Sequence, residues 1–170
     1  RHLELIAIAE ALHEKKISGI ADSILAQQRA LRVLLIAGPS SSGKTSFLGR
    51  LNTQLIVDGF KPVPLSLDNY FLDRAQTPLD ADGKPDFDVL QALDLSLLQA
   101  HIRQLVEGEP VEVPTFDFVT GRRTGERTLV QVGPREVLVI EGIHALNPEL
   151  VGDVHRNQLF KIYISALSGL

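Results

Sequence analysis

Cysteine, methionine and tryptophan are all missing from the 170 residues, and only two tyrosines accompany seven phenylalanines. Without a thiol, neither a disulfide framework nor a thiolate metal site can form, which fits a reducing cytoplasm. Long apolar runs are missing too. No stretch approaches the about 18 residues that a membrane-spanning helix needs, and nothing resembles a signal peptide, so no membrane partner is expected. Positive charge is in short supply: 17 basic residues face 21 acidic ones, giving a net charge of −4. With no basic stripe, the sequence argues against nucleic acid as a partner, and any anion must be bound locally. A chain that starts at Arg1 and has no methionine also reads as a piece of a longer polypeptide.

What is present is ordinary for one globular domain, 44% hydrophobic and 22% charged. The informative stretch is the apolar run over residues 31–37, which breaks into Gly38-Pro39-Ser40-Ser41-Ser42-Gly43-Lys44-Thr45. All positions of G-x-x-x-x-G-K-[ST] are filled. The run reads as a buried strand, and Phe47, Leu51 and Leu55 continue at helical spacing, which is the strand–loop–helix context the motif requires. The residue types follow from the chemistry of a polyphosphate. Successive backbone N–H groups must approach it, and side chains at Gly38 or Gly43 would obstruct them. Residues 38–46, ending at Ser46, therefore form the candidate nucleotide site. Lys44 can reach the β- and γ-phosphates, and the Thr45 hydroxyl can hold Mg²⁺.

Around this loop the chain reads as follows. Residues 2–29 have helical periodicity with an interruption at Ser18-Gly19, a helical lead-in to a domain over residues 30–170. His2, His13, His101 and His144 are expected to be solvated or structural. Asp58-Gly59 ends the helix after the loop, and residues 61–67 form a second strand with Asp68 at its carboxyl end. There a carboxylate faces the ligand of an open α/β sheet, unless it merely caps a turn. Residues 72–88 form a long Asp-, Pro- and Gly-rich loop, the kind that builds a pocket. Asp94 is the expected N-cap of a helix carrying Leu95, Leu98, Ile102 and Leu105 and closing at Gly108.

Residues 111–118 and 127–132 alternate with period two and predict a hairpin with a basic tip at 120–125. Phe116 and Phe118 share a face of its first strand, either as core or as an aromatic wall for a ring. Arg122 and Arg123 either bind phosphate or keep the tip soluble. Residues 135–144 predict a buried parallel strand beside the loop strand. Its terminal Glu141 sits either where an acidic residue helps hold Mg²⁺ or where it accepts bonds from the following turn.

These motifs in order, Gly-Pro-Ser-Ser-Ser-Gly-Lys-Thr, Leu65-Ser66-Leu67-Asp68-Asn69-Tyr70-Phe71, Phe87-Asp88, Val113-Pro114-Thr115-Phe116-Asp117-Phe118 and Val139-Ile140-Glu141-Gly142-Ile143, resemble the uridine kinase and phosphoribulokinase family of P-loop kinases. The resemblance runs from about Val33 to Ile164. It implies a P-loop NTPase fold: a mainly parallel sheet, helices on both faces and a β-hairpin near an acceptor pocket. It implies MgATP as phosphoryl donor, Asp68 as base for an acceptor hydroxyl and near Mg²⁺, and Glu141 as a further metal residue. It also implies Asp88 on ribose hydroxyls, and Phe116 and Phe118 beside a nucleobase, with Tyr70 and Arg123 in the same pocket. Uridine kinases carry Tyr at the position of Phe116 and His at that of Gly121. The family domain continues into an arginine-bearing lid that this chain lacks.

The expected activity is therefore transfer of the γ-phosphoryl group of ATP to a small-molecule hydroxyl, most simply of a nucleoside, by a cytoplasmic enzyme, with self-association left open. A kinase for another sugar-like acceptor and an ATP-binding switch without transfer are the alternatives. A GTPase is disfavoured by the lack of an [NT]-K-x-D motif.

Overall fold

The structure, a computed structural model, describes residues 2–39 and 43–165. Helix α1 (His2–Leu25) precedes strand β1 (Val33–Ala37), helix α2 (Lys44–Val57) and strand β2 (Lys61–Ser66). Helix α3 (Leu95–Val106), the hairpin strands β3 (Val111–Asp117) and β4 (Arg122–Val130), strand β5 (Glu136–Glu141), the single turn α4 (Pro148–Val151) and strand β6 (Leu159–Tyr163) follow. Four strands make one parallel sheet in the order β2-β5-β1-β6.

Continuous apolar runs are what a sheet covered on both faces demands, because side chains alternate across it. All five residues of β1 are buried. Val33, Leu35 and Ala37 join a core with Leu98, Ile102 and Leu105 of α3, whereas Leu34 and Ile36 join Ile17, Ala21 and Ile24 of α1 and Leu51 and Leu55 of α2. Helices thus cover both faces, as expected. Strand β2 lies on an edge, where Pro62 and Pro64 are tolerated because their missing N–H groups face away from β5.

Helix α1 runs unbroken through Ser18-Gly19, where the Ser23 hydroxyl donates to the Gly19 carbonyl at 2.9 Å. Its first half stands clear of the body, with Leu3, Leu5, Ile6, Ile8 and Leu12 exposed. No helix among the described residues is long and apolar enough to cross a membrane.

The hairpin differs from expectation. Strand β4 begins at Arg122, not 127, and the turn is confined to residues 118–121. Arg122 and Arg123 therefore lie in a strand, paired with Asp117 and Phe116, and Phe118 lies in the turn. The period-two signal fails in β4 because most of the strand is exposed, so pairing with β3, not burial, makes it a strand.

Candidate active site

Three strands end together. Ile36 is level with Glu141 of β5, and Glu141 is level with Ser66 of β2, so the loop after β1, the turn after β2 and the end of β5 open at one edge of the sheet. Gly142 makes that convergence possible: a Cβ there would stand 2.8–3.0 Å from the Leu67 side chain, so only glycine lets the chain leave β5 against the residue that precedes Asp68.

On the loop side, α2 starts at Lys44, behind a left-handed Gly43 (φ 76°), with no side chain capping its first N–H groups. Those donors and the positive end of the helix dipole suit an anion. The Lys44 ammonium lies 3.2 Å from Glu141 Oε2 and donates to the Gly38 carbonyl at 3.5 Å. Thr45 and Ser46 are exposed in the first turn, and Pro39 is exposed before it. Ser40, Ser41 and Ser42 lie outside the described residues.

Asp68 sits in the 3-10 turn Leu67–Tyr70, and its N–H donates to Ser66 Oγ at 3.3 Å. Its outer edge is open to solvent, yet its carboxyl is pushed above the usual carboxylate range. Partial desolvation is the main cause and the negative charge of Glu141 adds to it, while the Lys44 ammonium pulls the other way. The three side chains thus share one electrostatic site. Among the described residues no group of three or more His, Asp or Glu that could hold a metal occurs, so Asp68 and Glu141 form a carboxylate pair and no more.

On the other side, Phe71 gathers Phe87, Phe116 and Phe118, with ring centroids 5.4, 5.5 and 6.0 Å away. Phe116 is buried and packs as core, whereas Phe118, 59% exposed, turns a face to solvent. Asp88 is exposed next to Phe87, with its N–H on Asp86 Oδ1 at 2.9 Å. Gly121 closes the turn at φ 67°, and the seat of its missing side chain is filled by the Arg74 guanidinium, 2.7–3.0 Å from where a Cβ would stand.

Two residues expected in the acceptor pocket are otherwise engaged. Tyr70 is fully buried and its hydroxyl shares a 2.9 Å hydrogen bond with His101 Nδ1. Burial pushes that phenol up well out of the titrating range, so it offers the cleft no polar group. Arg123 is a structural fork. Its Nε donates to the Phe71 carbonyl (3.1 Å), Nη1 to Asp94 Oδ2 (3.0 Å) and Nη2 to the Tyr70 carbonyl (3.2 Å), while its backbone N–H donates to Asp73 Oδ1 (2.9 Å).

Asp94 does cap α3, accepting from the Leu97 N–H at 3.2 Å, as the sequence predicts. Its second partner, 29 residues away, and the acceptor role of Asp73 carry no sequence signal. A separate cleft of about 390 Å³, between the end of α3 and residues 151–158, contains Arg103 and His155 and shares no residue with this site.

A parallel sheet whose inner strand runs into a glycine-flanked loop, a lysine-bearing helix start and two carboxylates on neighbouring strand ends defines the fold of a P-loop NTPase. The chain belongs to the phosphoribulokinase / uridine kinase family, whose model matches residues 33–170. It is similar to the uridine kinase of Lactobacillus helveticus (strain DPC 4571), 31% identical over 132 residues covering 78% of this chain and 60% of that protein. It is similar also to the uridine kinase of Staphylococcus carnosus (strain TM300), 34% identical over 74% of this chain and 58% of that one. A solved structure from Bacillus stearothermophilus, described as a possible uridine kinase, shares the fold with a TM-score of 0.68 at 24% identity, covering 88% of this chain and 79% of that one. The chain thus spans about three fifths of the length of these curated relatives.

Proposed function

We propose that the chain is the core of an ATP-dependent kinase that phosphorylates a hydroxyl of a nucleoside or a similar sugar-like molecule in the cytoplasm. The observation that carries this reading is Asp68, held at the end of β2 within electrostatic reach of both Lys44 and Glu141. A nucleotide switch has no use for a carboxylate there, whereas phosphoryl transfer to an alcohol needs a base beside the γ-phosphate.

ATP fits the loop through the uncapped N–H groups of α2 and through Lys44, whose ammonium is poised on Glu141 to move onto the β- and γ-phosphates. Thr45, Asp68 and Glu141 are the residues that would hold Mg²⁺, a hard cation that takes its remaining oxygens from phosphate and water, and which supplies neutralisation of phosphate charge. Asp68 accepts the proton of the acceptor hydroxyl. The acceptor oxygen bonds to the γ-phosphorus as the bond to the β–γ bridging oxygen breaks, and ADP leaves. Asp88 is the group for vicinal hydroxyls, and the exposed face of Phe118 stacks on a ring without reading its edge.

An apolar wall discriminates by only about 10- to 200-fold, while a buried polar pairing discriminates far more. Full-length protein assayed with labelled ATP and a panel of nucleosides and deoxynucleosides should therefore separate ribose from 2′-deoxyribose better than one base from another. A strong preference for uridine, with deoxyuridine equally good, overturns the roles of Asp88 and Phe118. ATP binding without product from any acceptor leaves the switch reading.

A further inference from the structure

Arg123 links two surfaces that the proposed reaction must keep in register. It stands on β4 opposite Phe116, at the start of the strand that leaves the turn bearing Phe118. Its guanidinium reaches across to the carbonyls of Tyr70 and Phe71, the second and third residues after Asp68. The Tyr70 carbonyl also accepts from the Asp94 N–H at 2.8 Å, so both its lone pairs are used, and Asp94 Oδ2 closes the ring by accepting from Arg123 Nη1. Below the turn the Tyr70–His101 bond fixes it from the core side, and beside it Asp73 holds the Arg123 backbone N–H. Three of the five guanidinium N–H donors are committed to three acceptors, in the planar fork that only arginine offers.

We infer that Arg123 is a positioning residue: through the Tyr70 and Phe71 carbonyls and Asp94 it sets the placement of the Asp68 turn relative to the hairpin wall, and it touches neither nucleotide nor acceptor. This rests on the proposed kinase reading, in which Asp68 is the base and the hairpin borders the acceptor. A misplacement of about 1 Å in such a site costs on the order of 10²-fold in rate.

The test uses the full-length protein with Arg123→Ala, Arg123→Lys and Asp94→Asn, the last keeping an N-cap for α3. Kinetics, ATP titration, thermal melting and amide exchange are measured for each. Arg123→Ala should lower kcat by about 10- to 100-fold with acceptor KM and ATP Kd within about two- to threefold. Millimolar guanidinium should restore part of the rate, and Arg123→Lys and Asp94→Asn should fall between. Unchanged kcat, a rise in acceptor KM alone, or a rate loss that tracks lost ATP binding and melting temperature without guanidinium rescue would each overturn the assignment. If the wild type phosphorylates no acceptor, the kinase reading fails by itself. The linkage is then read from the amides of residues 70–72: faster exchange in Arg123→Ala supports it, and unchanged exchange overturns it.

Discussion

The Lys44 ammonium and the Glu141 carboxylate stand 3.2 Å apart across the ends of α2 and β5. The lysine that must serve a polyphosphate is already held over the loop, so its charge is part of the site before nucleotide arrives. Lys44→Ala should weaken ATP binding about 10- to 100-fold, the scale of a charged hydrogen bond worth roughly 1.5–3 kcal/mol. Isothermal titration calorimetry reads this directly, and unchanged affinity removes the phosphate-cradle assignment.

Asp68→Asn should separate binding from chemistry. ATP affinity should stay within a few-fold while turnover falls by about 10² or more, the usual scale for a lost general base. Survival of turnover would make Asp68 a turn residue and place the base elsewhere.

Because the Glu141 charge helps to raise the Asp68 carboxyl, Glu141→Gln should move Asp68 titration to lower pH, back toward the ordinary carboxylate range. Removing Lys44 should move it the other way. Carboxyl carbon shifts followed by NMR in nucleotide-free protein give the sign, and an upward move in Glu141→Gln contradicts the shared site.

His101 is buried against Tyr70, and its imidazole is held below the ordinary value, chiefly by desolvation. The unfolded chain therefore takes up a proton before the folded one does. Stability should be level above about pH 6.5 and fall as the pH drops through the folded-state value. Thermal melts from pH 8 to pH 5 should show this decline, and His101→Gln should flatten it. A slope that persists in the variant assigns the pH dependence to other groups.

Gly121→Ala places a Cβ in a left-handed residue and against the Arg74 guanidinium. The backbone strain costs about 1–2 kcal/mol, while Arg74, a flexible chain end, can move aside. Chemical denaturation should show a loss of that size, and a neutral result would mean that the turn rearranges freely.

Local chemistry made much of this protein legible in its sequence. The five-residue run into Gly38, the spacing of Phe47, Leu51 and Leu55, the Asp94 cap and the carboxylate closing residues 136–141 each report on neighbours within a few positions. Backbone geometry alone turns such patterns into strand, helix and loop. Tertiary structure decided what the pattern could not encode. Arg123 looks like a solvated charge on a hairpin tip until β4 pairs with β3 and brings its guanidinium to carbonyls more than fifty residues away. Tyr70 sits in a motif that resembles a substrate site, yet the turn rotates its ring into the core, where His101 satisfies the hydroxyl. Phe116 and Phe118 share a period-two face in the sequence, but the chain leaves the strand between them, so one packs inside and the other meets solvent. Side chains two residues apart share a face only while a strand persists, and partners fifty residues apart meet only through the fold.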